Sequence, residues 1–493
     1  MSEFLDNYYA RLGIPFSASR EDVRAAYHDA ARRLDPDANP APRAVEQFLR
    51  IQEAYDALFD PQKRRDYDTT LPPIDISLGI TVDTIYSRRE LLRSPDPQLV
   101  YVMMEIIPIP TSEKATIPLN LCVVVDRSTS MQGDRMDIVK STVKNLIRQL
   151  RPVDYLSVIA FSDRAEVIVP AVRISSGIEK VDSQISMLQT GGGTEIFRGL
   201  EAGFEEITRF LRPNFVNHLI LITDGQTYGD EEACLKLADK ARETGITISG
   251  LGIGSEWNDK FLDNLTGKTG GSSTYVADPR DIKRFMELKF NGLNQVFAEN
   301  TSLNLKLSPD IEIHYAFRLS PEPTKLSLEM PLNLGNIQSD SGLTIVFELF
   351  VKKVPSQPSV ILMDGTLGYE ILTRIIPVTH IPISISRPVE NAATSQKPPP
   401  QKIVQAMSKL TLYRMQEQAK QDLEAGNIEQ ATRRLRFLAT HLLAQGETSL
   451  ATTVLGEAGR IERDRALSDE GEKRIKYGTR ALLLPPGTGV PLQ

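Results

Sequence analysis

The spacing of apolar residues near the N-terminus predicts two helices. Apolar side chains recur every three or four positions over residues 19–34 and again over residues 45–58, which is the period of an amphipathic helix. Ser19 precedes the first helix and Asp22 follows three positions later, a pairing that indicates an N-cap. A proline-containing turn separates the two apolar stripes, so we predict an antiparallel helical hairpin.

Residues 117–295 alternate short apolar runs with amphipathic stretches. The apolar runs predict strands over residues 119–125, 155–161, 218–223 and 246–253. The amphipathic stretches predict helices over residues 138–150, 196–210, 233–244 and 261–265. This order is typical of a doubly wound, mostly parallel α/β sheet of the Rossmann-like class. Such sheets bind ligands beyond the carboxyl ends of their strands, where the strand order reverses.

Strand-rich and helical segments flank the α/β region. Residues 74–110 and 302–385 alternate apolar and polar positions between prolines and glycines, which predicts the antiparallel strands of a β-sandwich. Residues 386–402 are rich in proline and small polar residues, as expected of a linker. Helical periodicity then predicts helices over residues 403–425, 428–443 and 450–465. They show no fixed repeat, so we expect a helical bundle or extension, which either packs on the sandwich or binds a partner.

These patterns predict a multidomain chain. Its 493 residues exceed one ordinary core, since domains average ~100–200 residues. We predict an α-helical domain over residues 1–70 and an α/β doubly wound domain over residues 116–296. A β-sandwich is predicted from residues 71–115 together with 297–386. A linker over residues 387–402 then leads to a C-terminal α-helical region over residues 403–493.

Composition narrows the class of partner and the compartment. The net charge is −7 and no polybasic run is present, which argues against a nucleic-acid or membrane surface. Cys122 lies in an apolar run and Cys234 in a helical pattern, so both fit buried thiols in a reducing cytosol. The chain shows no signal-peptide pattern and no apolar run long enough to span a bilayer. We expect a cytoplasmic protein.

Hydroxyl and carboxyl groups lie where two apolar runs end. Asp126, Ser128 and Ser130 follow one run at alternating positions, and Asp224 follows another. Thr194 lies in a glycine-rich loop. Magnesium prefers hard oxygen ligands, and this set contains no nitrogen or sulfur. The residues therefore predict a divalent metal site. The alternative is that the two aspartates cap the helices that follow them.

The same five residues resemble the metal-ion-dependent adhesion site of von Willebrand factor type A (VWA) domains. The resemblance implies that Ser128, Ser130 and Thr194 coordinate Mg²⁺ or Mn²⁺ directly. It implies that Asp126 and Asp224 act mainly through water or through hydrogen bonds to the hydroxyls. In this family a carboxylate of a binding partner completes the metal shell. The resemblance also implies that the strands on either side of the domain pair into one sandwich.

Catalytic and nucleotide-binding patterns are weak along the chain. The histidines fall in separate segments without metal-ligand spacing. They are His28, His218, His314, His380 and His441. Ser255 stands where a dinucleotide loop would need its third glycine, and Leu262 where a phosphate loop would need its first. We expect a protein without enzymatic activity.

The N-terminal region resembles the J domain of DnaJ-type co-chaperones over residues 5–69. The resemblance rests on the order Tyr8-Tyr9, Leu12-Gly13-Ile14, Ala25-Ala26-Tyr27, Ala31-Arg32-Arg33, Glu53-Ala54-Tyr55 and Asp60-Pro61 through Tyr67-Asp68. In that family a His-Pro-Asp loop engages Hsp70 and triggers its ATP hydrolysis. Here the loop reads Asp35-Pro36-Asp37, and Ala38 stands where the family usually has a basic residue.

A carboxylate in place of imidazole reverses the available charge and removes a hydrogen-bond donor. We therefore predict a degenerate J-like module used for docking. The alternative is that Pro36 and Asp37 only shape the loop, with Pro36 ending the helix.

The whole chain fits a bacterial-type cytosolic scaffold whose VWA site binds an acidic protein ligand through Mg²⁺ or Mn²⁺, with the J-like module as a second docking surface. Two alternatives stay open. The chain is either an active Hsp70 co-chaperone that holds clients through its VWA and sandwich domains, or part of a homo-oligomer in which a neighbouring copy's Asp or Glu completes the metal shell.

Overall fold

The computed structural model describes most of the chain. The described residues are 7–34, 44–71, 78–109, 117–176, 178–212, 214–225, 229–374, 378–391 and 398–483. The predicted docking loop Asp35-Pro36-Asp37 lies outside them. Within the described ranges, no helix combines the length and the apolar character needed to cross a membrane.

Four helices form the N-terminal region. They are α1 (Tyr8–Leu12), α2 (Arg20–Leu34), α3 (Ala44–Phe59) and α4 (Pro61–Asp68). The predicted N-cap of α2 is present, because the backbone N–H of Asp22 donates to Ser19 Oγ at 3.1 Å and that of Ser19 donates to Asp22 Oδ2 at 2.7 Å. Tyr9, Val23 and Ile51 are fully buried in a shared core, which confirms the predicted packing of the amphipathic helices.

Three strands precede the α/β region: β1 (Ile80–Tyr86), β2 (Leu91–Leu92) and β3 (Gln98–Pro108). The α/β region itself has a six-stranded sheet. Its strands are β4 (Leu119–Asp126), β5 (Tyr155–Phe161), β6 (Ala165–Arg173), β7 (Val216–Thr223), β8 (Ile246–Ile253) and β9 (Ser273–Val276). Its helices are α5 (Asp134–Gln149), α6 (Ile178–Ser186), α7 (Ile196–Thr208), α8 (Glu231–Glu243), α9 (Asp259–Lys268) and α10 (Ile282–Asn294).

The sheet is doubly wound, as predicted. The strand order is β6-β5-β4-β7-β8-β9, with β6 antiparallel to β5 and the other pairs parallel. Every residue of β4, β7 and β8 is buried, so both faces of these strands are covered. The order reverses between β4 and β7, which makes this pair the switch point. The sequence patterns did not predict β6, α6, β9 or α10. The two strands give weak patterns, because β6 is half-exposed and β9 has four residues.

The strands after the α/β region complete a sandwich. They are β10 (Val296–Lys306), β11 (Ile311–Ser320), β12 (Thr324–Lys325), β13 (Leu332–Gln338), β14 (Leu343–Val351), β15 (Ser359–Glu370) and β16 (Val378–Glu390). The two sheets have the orders β1-β3-β14-β11-β12 and β13-β10-β15-β16-β2. The pairing of β3 with β14 confirms that strands from both sides of the α/β region form one sandwich. The last strand, β16, runs into the predicted linker because Val389 and Glu390 pair with Leu91 and Leu92.

The C-terminal helices are α11 (Gln401–Glu424), α12 (Ile428–Ala444), α13 (Thr448–Asp464) and α14 (Asp469–Ala481). The first three were predicted, whereas α14 was not. Helix α11 packs on the sandwich, where Tyr413 shares a core with Phe317. Helix α14 packs on the α/β domain, where Tyr477 lies in one core with Trp257 and Tyr275. These helices therefore join the two preceding domains.

A buried charge network holds α14 against α9. Lys476 Nζ lies 2.6 Å from Asp263 Oδ2 and also contacts Asp259, and Arg480 Nη2 lies 3.3 Å from Asp263 Oδ1. Burial alone would raise the pKa of Asp263, but the charges of Arg480 and Lys476 hold it well below its usual range. Lys473 Nζ also donates to the Ser255 carbonyl at 2.6 Å. Paired charges thus add to the apolar contacts that Tyr477 makes from α14.

Removing Asp263 tests how much this network contributes. Asp263→Ala leaves Arg480 and Lys476 with less buried counter-charge, so we expect the local free energy of unfolding to fall by about 3–5 kcal/mol. Trp257 is the only tryptophan of the chain and its ring lies 5.9 Å from that of Tyr477, so its fluorescence in a urea titration reports this interface.

The matched control is Asp464→Ala. Asp464 lies 3.7 Å from Arg460 in an exposed pair on α13, where we expect a change of ~0–1 kcal/mol. Equal shifts for the two variants would contradict a special role for the buried network.

Candidate metal centre

Asp126 ends β4 as a fully buried carboxylate. Its Oδ1 accepts a hydrogen bond from the backbone N–H of Ser128 at 2.8 Å, and its Oδ2 accepts one from Thr223 Oγ1 at 2.7 Å. Burial raises the pKa of Asp126 to about 6, although the hydrogen bonds from Ser128 and Thr223 oppose the rise. Both oxygens of Asp126 are therefore oriented by neutral donors.

Asp224 follows β7 and meets the loop after β4. Ser130 Oγ donates to Asp224 Oδ1 at 2.7 Å, and the hydroxyls of Ser128 and Ser130 lie 3.0 Å apart. Arg135, near the start of α5, forms an ion pair with Asp224 Oδ2 and donates to the Ser130 carbonyl at 3.3 Å. Asp224 and Ser128 are buried, whereas Ser130 is exposed, so the Ser130 hydroxyl lies between Asp224 and solvent.

The glycine-rich loop brings Thr194 to the same place. A Cβ atom at Gly225 would lie 3.0 Å from Thr194 Oγ1, so this hydroxyl lies directly beside the residue after Asp224. The N–H of Gly193 donates to Asp163 Oδ1 at 2.8 Å. Gly192 has a φ of +89°, and a side chain there would collide with Asp163. The loop therefore requires glycine at this position.

The structure brings all five predicted site residues together at the carboxyl edge of β4 and β7. The helix-capping alternative for the two aspartates fails, because Gly133 and Asp230 occupy the N-cap positions of α5 and α8. The sequence analysis missed Thr223, Arg135 and Asp163. Asp163 could have been found, since it closely follows β5, a strand whose end lies at the same edge.

The donor set suits a hard divalent cation. Ser128, Ser130 and Thr194 offer neutral hydroxyl oxygens, and the nearest charged groups are carboxylates and one guanidinium. Among the described residues no group of three or more His, Cys, Asp or Glu side chains is arranged to hold a metal. Any ion at this site would therefore depend on hydroxyls and water, as Mg²⁺ tolerates.

Comparison with family models agrees with the domain organisation. Residues 120–288 match the von Willebrand factor type A domain, and residues 7–68 match the DnaJ domain. Residues 401–485 match the family described as the Sll0103-like C-terminal alpha-helical domain. The chain thus contains a VWA domain and an N-terminal DnaJ domain, and both predicted resemblances are confirmed.

Individual relatives share parts of this organisation. Uncharacterized protein sll0103 of Synechocystis sp. is 29% identical over 388 residues, which cover 75% of this chain and 89% of that protein. Uncharacterized protein YfbK of Escherichia coli is 22% identical over 53% of this chain and 47% of its own length. Chaperone protein DnaJ 2 of Thermus thermophilus is 51% identical over 63 residues, or 13% of this chain and 22% of that protein.

Two solved structures share the fold over most of the chain. The von Willebrand factor type A protein from Catenulispora acidiphila superposes with a TM-score of 0.64 at 14% identity, covering 81% of this chain and 96% of that one. The ArnB paralog VWA2 from Sulfolobus acidocaldarius superposes with a TM-score of 0.52 at 15% identity, covering 82% and 99%. At these identities the likeness establishes the fold alone.

The hydrogen bond from Thr223 to Asp126 can be tested by stability. Thr223→Val preserves shape but leaves a buried carboxylate oxygen without its hydroxyl donor, so we expect a loss of about 1–3 kcal/mol in the free energy of unfolding. Thr142→Val is the matched control, because Thr142 is also buried but its hydroxyl has no partner among the described residues. Chemical denaturation in EDTA should separate the two variants, and equal stabilities would argue against the role of Thr223.

Proposed function

We propose that the protein is a cytoplasmic, non-enzymatic scaffold whose VWA site binds an acidic residue of a partner protein through Mg²⁺ or Mn²⁺. In this proposal the J-like module supplies a second docking surface. The VWA and DnaJ domains support protein binding in general. The metal and the acidic partner rest on the geometry of the site.

The observation that carries the proposal is the use of the four carboxylate oxygens. Each oxygen of Asp126 and Asp224 already accepts a hydrogen bond from a protein donor. The residues left to coordinate an ion directly are then Ser128, Ser130 and Thr194, which carry no charge. An ion held by neutral oxygens keeps most of its positive charge, so it attracts an anionic ligand from outside.

The position of the site favours recognition over catalysis. Ser130 is exposed and Thr194 half-buried, so a protein surface can approach the hydroxyls. Histidine is the most common general base in enzymes. Here the imidazole of His218 is buried within β7 and hydrogen-bonded to Ser249 Oγ at 3.0 Å. The ion would supply charge for binding a carboxylate, and Ser128, Ser130 and Thr194 would orient it.

Metal binding tests the proposal directly. Isothermal titration of the full chain with Mg²⁺ should show a saturable site, and Thr194→Ala should weaken it at least about tenfold because one oxygen ligand is lost. Thr208→Ala is the control, since Thr208 is an exposed residue of α7 whose hydroxyl bonds the Phe204 carbonyl. Tight binding that Thr194→Ala leaves unchanged would place the ion elsewhere.

The partner is sought by capture from a native extract with Mg²⁺, with EDTA and with Thr194→Ala. A protein that is lost with EDTA and with Thr194→Ala, but is retained by Thr208→Ala, would support metal-dependent recognition. Binding that persists both in EDTA and with Thr194→Ala would contradict it. Light scattering with and without EDTA separates recognition of another protein from self-assembly, because in self-assembly an oligomer of this chain would dissociate on metal removal.

A second candidate function is that of an active Hsp70 co-chaperone. It is favoured by the DnaJ-domain match and by the 51% identity to Chaperone protein DnaJ 2 of Thermus thermophilus. Against it stands Asp35 in the loop where the family has histidine. We propose that this substitution leaves a docking module that stimulates Hsp70 weakly.

A single-turnover ATPase assay with a bacterial Hsp70 tests the J-like module. Wild type should stimulate little, and Asp35→His should increase the stimulation because it restores the imidazole donor. Asp56→His is the control, since Asp56 is an exposed residue of α3 outside the loop. Full stimulation by wild type would overturn the docking proposal and support the co-chaperone.

A further inference from the structure

The ion pair between Arg135 and Asp224 is not explained by the five-residue site. The Asp224 side chain is 0% exposed and the Arg135 side chain 35% exposed. Arg135 also donates to the Ser130 carbonyl, which belongs to the loop that carries two of the hydroxyls. On its other side lies Gly254, where a Cβ atom would come within 3.2 Å of Arg135 Nη2. The guanidinium is thus enclosed between the site and the loop after β8.

A buried carboxylate needs a compensating charge. Asp224 receives one hydroxyl hydrogen bond, from Ser130, and one cation, Arg135. Leaving such a carboxylate without a cation costs several kcal/mol in general. Arginine stays protonated at any ordinary pH, so its charge is permanent. Arg135 therefore stabilises Asp224 whether or not an ion is bound nearby.

We propose that Arg135 is the built-in counter-ion of Asp224, and that it competes with the divalent ion for the charge of this carboxylate. This inference rests on the proposed metal site. An ion coordinated by Ser130 Oγ would draw on the same carboxylate that Arg135 neutralises, because the Ser130 hydroxyl donates a hydrogen bond to Asp224. Two cations that share one anion repel each other. Arg135 thus stabilises the metal-free domain and weakens metal binding.

The competition has a consequence for the partner. With Arg135 in place, the guanidinium and a divalent ion together carry more positive charge than the carboxylates of Asp126 and Asp224 can neutralise. An acidic residue from a partner would then add the missing negative charge and tighten the ion. By linkage, the ion and the acidic partner should each strengthen binding of the other. Arg135 thus makes the affinity of the site for the ion depend on the partner.

The test compares the wild-type chain with three arginine variants and adds a double-mutant cycle with Asp224→Asn. Arg135→Gln removes the charge but keeps a hydrogen-bond donor, and Arg135→Lys keeps the charge. Arg148→Gln is the control, because Arg148 lies on the same helix in an exposed pair, 3.5 Å from Asp182. The two measurements are the midpoint of unfolding in EDTA and the affinity for Mg²⁺ by isothermal titration.

Competition predicts effects of opposite sign. Arg135→Gln should lower the unfolding midpoint in EDTA and raise Mg²⁺ affinity by at least about fivefold, the lower end of ordinary coupling between two bound species. Arg135→Lys should remain close to wild type in both measurements, and so should Arg148→Gln. In the Asp224→Asn background, the stability effect of Arg135→Gln should largely disappear, since the charge it compensates is gone.

The outcomes separate this inference from the function on which it rests. If Arg135→Gln lowers both stability and Mg²⁺ affinity, Arg135 merely supports the fold of the loop and the competition is overturned. If its stability in EDTA equals that of wild type, Arg135 is not the counter-ion. If neither wild type nor Arg135→Gln binds Mg²⁺, the proposed metal function fails, and the competition fails with it.

Discussion

The constraint on which the candidate site depends is the complete burial of two neighbouring parallel strands. Every residue of β4 and β7 is buried, so these strands offer no place for a charged group until they end. Parallel strands end at the same edge, and Asp126 and Asp224 are the acidic residues found there. Since a desolvated carboxylate is unfavourable, hydroxyl, amide and guanidinium donors from the loop after β4, the start of α5 and the end of β7 surround the pair. The apolar core and the polar site are two results of one arrangement.

The surrounding domains hold the VWA domain from several sides. The chain enters from β3 and leaves through β10, which are strands of the two opposed sheets of the sandwich. Lys289 of α10 forms an ion pair with Glu322 of the sandwich at 2.7 Å, and α14 adds the charge network around Asp263. The loop that contacts Arg135 is itself held from α14, since Lys473 bonds the Ser255 carbonyl. The side of the domain that carries the hydroxyls remains accessible.

Much of the fold could be predicted because buried strands and amphipathic helices have strong periodicity. The central strands β4, β5, β7 and β8 are rich in apolar residues, and all of the five site residues except Thr194 follow from where two of these strands end. Helix α14 could not be found in this way, because the residues it buries include Lys473, Tyr477 and Arg480 beside the apolar Ile475. Arg480 and the neighbouring Lys476 pair with aspartates more than 200 positions earlier in the sequence.

Arg135 was missed for the same reason. A basic residue at the start of a helix gives no sign of an ion pair with a carboxylate 89 residues away. Conversely, Thr194 was found although it follows no strand, because the glycines before it indicate a loop and the resemblance to VWA domains supplies its role. Local periodicity thus identifies elements and their ends, whereas charge pairs between distant segments need the three-dimensional structure.

The two buried carboxylates of the site differ in how their charge is compensated. Asp224 has a guanidinium, whereas Asp126 is fully buried and receives hydrogen bonds from a backbone amide and a hydroxyl, with no ion pair among the described residues. Its pKa of about 6 reflects this difference, because burial disfavours the charged form and neutral donors oppose it only in part. The negative charge that lacks a cation is therefore that of Asp126, beneath the hydroxyls of Ser128 and Ser130. This imbalance is the physical reason to expect a cation at the hydroxyls, since Arg135 compensates only the other carboxylate.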